Sequence, residues 1–179
     1  DTGMETLIQL IAAAAARFPE AVALEGAALE GESLKGGAGE SGAGGSGPVS
    51  LSRGALLRRA AALAARLIEA GIGPGDPVAL LAPNRPEWAV GYFGALLAGG
   101  VLVPLDVNLK TGELTNILGR SGAAALLTDA FRLEDARALA VALAEPIQLF
   151  RVDEAGEAEP HPISRWPGAA REPGDLALI

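Results

Sequence analysis

The chain has no cysteine and a single histidine among its 179 residues. That excludes a disulfide framework, a thiol nucleophile and a thiolate metal site, and it fits a cytoplasmic location. His161 stands between Pro160 and Pro162, and it reads as an exposed loop residue rather than a catalytic one. Positive charge is also short: 14 Lys and Arg face 22 Asp and Glu, a net charge of -8. No basic stripe is present, so neither nucleic acid nor an anionic membrane is expected as the main partner. Arg58, Arg59 and Arg66 share a helical segment but read as a solvated face opposite Leu56, Ala60, Leu63 and Leu67. Residues 88–105 are uncharged, yet Gly99-Gly100 and Pro104 cut them into pieces too short to cross a bilayer. No transmembrane segment is expected. Residues 1–18 carry Asp1 and Glu5 where a secretory signal carries basic residues. GxxxxGK[ST], GxSxG and metal-ligand clusters are all missing.

What is present is organised around residues 75–106, GDPVALLAPNRPEWAVGYFGALLAGGVLVPLD. Two short apolar runs, 78–82 and 101–103, flank a segment whose apolar residues recur at helical spacing, which predicts strand, helix, strand. Pro83-Asn84 stops the first run. Pro86 suits the first helical turn, and Gly99-Gly100 supplies left-handed positions at the helix end. Two strands joined in this way run parallel, with a right-handed crossover. Gly91, Gly94, Ala95 and Ala98 form a small-residue face expected to lie on the sheet, with Gly94 at the closest approach. Val90, Phe93, Leu96 and Leu97 cover much of the rest. A helix apolar nearly all round is buried on both sides, and the pattern does not show that this chain supplies the second cover.

Leu7, Ile8, Ile11, Ala14, Ala15 and Phe18 predict an amphipathic first helix ending before Pro19. Residues 22–24 read as a short strand. In 25–48 the composition shifts to Gly, Ser and Glu without apolar period, which predicts a flexible Gly-rich insertion. Its part from Gly31 to Gly47 is expected to be a surface loop with no binding role, because a phosphate-cradling loop follows a buried strand and opens a helix. Residues 49–51 return as a strand beside 22–24. Ser52 then caps a long helix through Ala70, stopped by Gly71. Beyond Asp106, Thr111 caps a helix carrying Leu114, Ile117 and Leu118, which Ser121-Gly122 ends. Residues 124–128 read as a strand, 133–144 as a helix and 147–152 as a strand. This alternation predicts an α/β fold, an open, mostly parallel sheet with helices on both faces. Residues 1–152 form that subdomain, 153–175 an acidic, Pro-rich connector, and 176–179 the start of another strand.

Taken alone, these residues name no reaction. Asp106 and Asp129 each follow a strand, where open α/β sheets place ligand groups, but ordinary loop and capping roles account for both. The order of segments says more. "TLIQLIAAAAARFPEAVAL", "VSLSRGALLRRAAALAARL", "GIGPGDPVALLAPNRPEWAVGYFGALLAGGVLVPLD" and "GELTNILGRSGAAALLTD" together resemble the N-terminal region of the adenylate-forming superfamily, the AMP-binding acyl- and aryl-CoA synthetases and related adenylation domains. Only 25–48 and the connector fall outside the likeness.

The resemblance implies a parent enzyme that activates a small carboxylic acid with ATP and Mg2+. It would form an acyl-adenylate and pyrophosphate, then pass the acyl group to the thiol of CoA or a carrier protein. A carboxylate is a poor electrophile, and AMP makes a leaving group of its oxygen. "EPGDLALI" resembles the strand immediately before the family's Ser/Thr/Gly-rich phosphate loop, so the nucleotide-binding and C-terminal domains are expected as partners of this chain. No catalytic or metal-binding residue is carried over, and the chain alone is expected to be inactive. In many CoA-using relatives an arginine follows a "PLNP" turn and meets the CoA nucleotide phosphate. Here the match is "PLDVN", which puts Asn108 at that position with Lys110 beyond it, and these two are the candidates for contact with a thiol-cofactor phosphate. The alternative is a non-catalytic α/β scaffold or interaction module.

Overall fold

The computed structural model describes residues 6–26, 49–158 and 163–170. Thr6 opens α1 (Leu7–Arg17) with a capping box: its hydroxyl accepts from Gln9 N–H, and the Gln9 side chain accepts from Thr6 N–H. β1 (Val22–Gly26) pairs antiparallel with β2 (Val49–Ser52), the hairpin that the sequence predicts. The Gly-rich stretch between them from residue 27 to 48 lies outside the described residues, as do His161 and residues 176–179. Ser52 caps α2 (Arg53–Glu69) by accepting from Ala55 N–H at 3.2 Å. Beyond it, Gly71 takes φ +90°, a backbone conformation that suits glycine.

The strands that follow form one parallel sheet in the order β4-β3-β5-β6: β3 (Pro77–Leu81), β4 (Val101–Pro104), β5 (Ala125–Thr128) and β6 (Gln148–Arg151). β3 and β5 are the inner strands. Both are buried on both faces, as the unbroken apolar runs VALL and ALLT require. Val78, Leu80, Leu102, Ala125 and Leu127 point into one core with α2 and α3 (Pro86–Leu97). Ala79, Leu81, Val103 and Leu126 point into a second core with α4 (Thr111–Ser121) and α5 (Leu133–Ala142). Helices therefore cover both faces.

Four readings of the sequence need correction. The second cover of α3 comes from this chain itself, because α2 packs along it. Gly94 faces that helix rather than the sheet: a Cβ there would stand 2.7 Å from Leu63 Cδ2. Gly91 is the residue that meets the sheet, where a Cβ would stand 2.9 Å from Leu80 Cδ1 and 3.1 Å from Val152 Cγ1. The expected solvated arginine face of α2 is occupied instead. Arg59 is buried, Arg58 pairs with Glu157 at 2.8 Å, and Arg66 lies over the Phe150 ring. At α4 the cap position is Lys110, with Thr111 as the first helical residue.

Within the acidic stretch, residues 163–170 form two 3-10 turns, Ile163–Arg165 and Pro167–Ala170. Trp166 is buried in the first core, and the turn at Gly168 lies so close to α3 that a Cβ would collide with the Leu96 carbonyl. Among the described residues no helix is long and apolar enough to cross a membrane.

Candidate functional site

The carboxyl ends of the strands bring the polar groups together. The chain leaves β3 toward α3 on one face and leaves β5 toward α5 on the other. Loops that part in this way open a crevice between β3 and β5, where doubly wound sheets bind ligands.

Arg85 and Asp129 stand on its two sides. Asp129 follows β5 and is 3% exposed, with Oδ1 accepting from Arg132 N–H at 3.0 Å to cap the 3-10 turn Ala130–Arg132. Burial pushes its carboxyl pKa above the ordinary value. The Asp153 carboxylate adds to the rise, while the Arg132 and Phe131 N–H groups and the Arg85 guanidinium oppose it. Arg85 lies 5.1 Å from the Phe131 ring centroid, bridging the two loops. Glu87, in the first turn of α3, is 3% exposed; both its carboxylate oxygens are buried without a hydrogen bond, and Arg85 Nε is 3.9 Å away. At the end of β6, Arg151 is ion-paired to Asp153 and to Glu154.

A cavity of about 260 Å³ opens beside the second core, between the start of α4 and the β5–α5 connection. Leu81, Leu114 and Leu139 give it apolar walls, Lys110 and Arg132 give it two cations, and the Asp135 carboxylate also lines it. Arg132 also pairs with Asp135 at 2.9 Å. Of the two candidates read from the sequence, Lys110 lines this cavity. Asn108 does not: Asp106 Oδ1 accepts from both its backbone N–H and its side-chain amide at 2.9 Å, closing a local turn. Sequence reasoning missed Arg132. The signal that could have found it is the "TDAFR" run, in which Asp129 caps the turn three residues ahead and so fixes where Arg132 stands. It also missed Arg85 and Glu87, whose Pro-containing loop marks only a helix start.

Among the described residues no group of three or more His, Cys, Asp or Glu side chains is placed to hold a metal ion. The glycines at the α3–β4 connection follow a helix rather than a strand, so they do not fit the phosphates of ATP. The described residues thus offer no three-ligand cluster for Mg2+ and no glycine cradle for the ATP phosphates.

The feruloyl-CoA synthase of an Amycolatopsis species is 37% identical over 111 residues, covering 62% of this chain and 23% of that protein. Tyrocidine synthase 3 of Brevibacillus parabrevis is 35% identical over 130 residues, covering 73% of this chain and 2% of that protein. The chain thus spans about a quarter or less of these relatives' lengths. The crystal structure of the nonribosomal peptide synthetase FmoA3, in its α-methyl-L-serine-AMP-bound form, superposes with a TM-score of 0.70 over 97% of this chain and 16% of that one. At 23% identity, that likeness shows the fold. The family model described as AMP-binding enzyme matches residues 11–179, and the chain belongs to that family of adenylate-forming enzymes.

Proposed function

We propose that this chain is the N-terminal subdomain of an acyl-activating ligase. The parent would join a carboxylic acid to AMP at the expense of ATP, releasing pyrophosphate, and transfer the acyl group to a thiol. The observation that carries the reading within the chain is the cavity at the carboxyl edge of the sheet, where Lys110 and Arg132 converge from two elements above apolar walls. Lys110 would meet a phosphate of the thiol cofactor, CoA or the phosphopantetheine arm of a carrier protein. Asn108, bonded to Asp106, would set the turn that presents it. Family membership does not favour a scaffold without ATP chemistry.

The acid substrate would be held, and its adenylate formed, by the domains that complete the enzyme. The test supplies ATP, Mg2+, mixed fatty and aryl acids and hydroxylamine to this chain and to the complete parent protein, and measures pyrophosphate and hydroxamate. The expected result is turnover by the parent and none by the 179-residue chain above a heat-killed control. Turnover by the chain alone would overturn the subdomain reading, and an inactive parent would overturn the ligase reading.

A further inference from the structure

Arg132 lines the cavity from a turn that has little to hold it. None of the residues of Ala130–Arg132 is buried. Asp129 accepts from Arg132 N–H at 3.0 Å, which fixes the backbone of the turn but not the direction of its side chains. A 3-10 helix has about three residues per turn, so neighbouring side chains point roughly 120° apart. Phe131 and Arg132 therefore face different ways. Arg132 faces the cavity, and Phe131 meets the β3–α3 loop, where Arg85 Cζ lies 5.1 Å from its ring centroid. Phe131 is 46% exposed and belongs to neither core, so burial does not orient the ring.

The other side of this contact is rigid. Arg85 caps α3, with its N–H donating to Pro83 O at 2.8 Å and its carbonyl accepting from Trp88 N–H at 2.9 Å. Pro86 after it restricts its backbone to the extended form seen, φ -129° and ψ 169°. Its side chain is 11% exposed, and the Glu87 carboxylate, 4% exposed, stands 3.9 Å from its Nε. The same guanidinium acts on the Asp129 carboxylate across the crevice. One cation anchored on a buried helix thus reaches both the ring and the capping carboxylate of the opposite turn.

We propose that Phe131 is a positioning residue for the thiol-transfer half-reaction, clamped by Arg85 so that Arg132 is held ready for a phosphate of the thiol cofactor, an inference that rests on reading the cavity as the thiol-cofactor site. Without the clamp the turn keeps its Asp129 cap, and Arg132 keeps its ion pair with Asp135 at 2.9 Å. The turn is then free to roll about its own axis. Rolling carries Arg132 with Phe131, because the two are consecutive in one short turn, and the ordering of Arg132 becomes a cost of cofactor binding. A planar guanidinium stacks on a ring face in a way that an ammonium does not match, so the clamp calls for arginine at position 85.

The test measures both half-reactions in the complete parent enzyme. Phe131→Leu should raise the KM for the thiol about threefold, the loss of one exposed cation–π contact, while acid-dependent pyrophosphate release keeps its rate. Phe131→Tyr retains a ring face and should restore the KM. In an Arg132→Ala background Phe131→Leu should have no further effect, because the ring acts only through that guanidinium. Arg85→Lys should raise the thiol KM by itself and add nothing to Phe131→Leu. An unchanged thiol KM in Phe131→Leu, beside a raised one in Arg132→Ala, would overturn the clamp and leave the cavity reading standing. A Phe131→Leu effect that persists in full without Arg132, or equal losses in both half-reactions, would also overturn the clamp. An unchanged thiol KM in Arg132→Ala would overturn the cavity reading and the clamp with it.

Discussion

Gly94 on α3 lies against Leu63 on α2 so closely that a Cβ would stand 2.7 Å from Cδ2, 3.0 Å from Cγ and 3.1 Å from Cβ of that leucine. Leu63 is fully buried and cannot swing away without leaving a void. The two helices approach at this distance because position 94 has no side chain.

A pair of glycine variants separates this packing role from helix propensity. Gly119 also sits in a helix, α4, with nothing within 4 Å of where its Cβ would be. Gly119→Ala should stabilise the chain by about 0.5–1 kcal/mol. Gly94→Ala should lose that gain to overpacking, and Gly94→Leu should cost about 1–3 kcal/mol or more. Urea unfolding at constant m-value reads both effects. Equal stabilisation by the two alanine variants would show that α2 does not press on α3 at Gly94.

The rotation of α3 illustrates how far the sequence carries. Strand and helix order, the hairpin, the Ser52 cap and the covering of both sheet faces follow from apolar period, proline and glycine. Which small residue meets which neighbour does not. With apolar residues all round α3, the pattern gives no polar side to fix its rotation, so Gly91 meets the sheet as expected while Gly94 faces α2 instead. Trp166 lies in an acidic, Pro-rich stretch without periodicity, and its burial depends on a long-range contact that no local pattern encodes. In the candidate site, Lys110 was legible from its place after the "PLDVN" turn. Arg132 reaches the same cavity only through the turn that Asp129 caps, and Asn108 spends its amide on Asp106.

Asp129 predicts a pH dependence with a defined sign. Its folded-state pKa is raised above the ordinary 3.8, mainly by burial. Stability linked to this group is therefore fully present below the unfolded value and is lost as pH rises through the folded one. Asp129→Asn keeps an oxygen to accept from Arg132 N–H and removes the charge. Relative to the unsubstituted chain, the variant should gain stability as pH rises from below the ordinary 3.8 through the raised folded value, measured as the difference in urea midpoints at each pH. A difference that stays constant or falls across that range would contradict the cause assigned here.

Trp166 fixes residues 163–170 to the helical layer, so its removal should be felt outside its own segment. Trp166→Ala should destabilise the chain by about 3 kcal/mol. Amide hydrogen exchange should rise in α1, whose Ile8 touches this segment at Gly168, while β3 and β5 stay protected. Uniformly faster exchange with the same midpoint shift would indicate global destabilisation instead of a local anchor.

The cavity at the start of α4 predicts a separation of the two half-reactions in the complete enzyme. Lys110 and Arg132 line it, from the cap position of α4 and from the turn after β5. If they contact a phosphate of the thiol cofactor, Lys110→Ala should leave acid-dependent pyrophosphate release unchanged and raise the KM for the thiol substrate about tenfold, the loss of one charge-assisted contact of about 1.4 kcal/mol. Lys110→Arg should restore most of the affinity, since a positive charge is retained. Arg132→Ala should act in the same direction, with part of its effect arising from the freed Asp135. The rise in KM should shrink as salt screens the contact. Equal losses in both half-reactions would point to misfolding of the α4 start, and unchanged thiol KM in both alanine variants would remove the cavity from the thiol path.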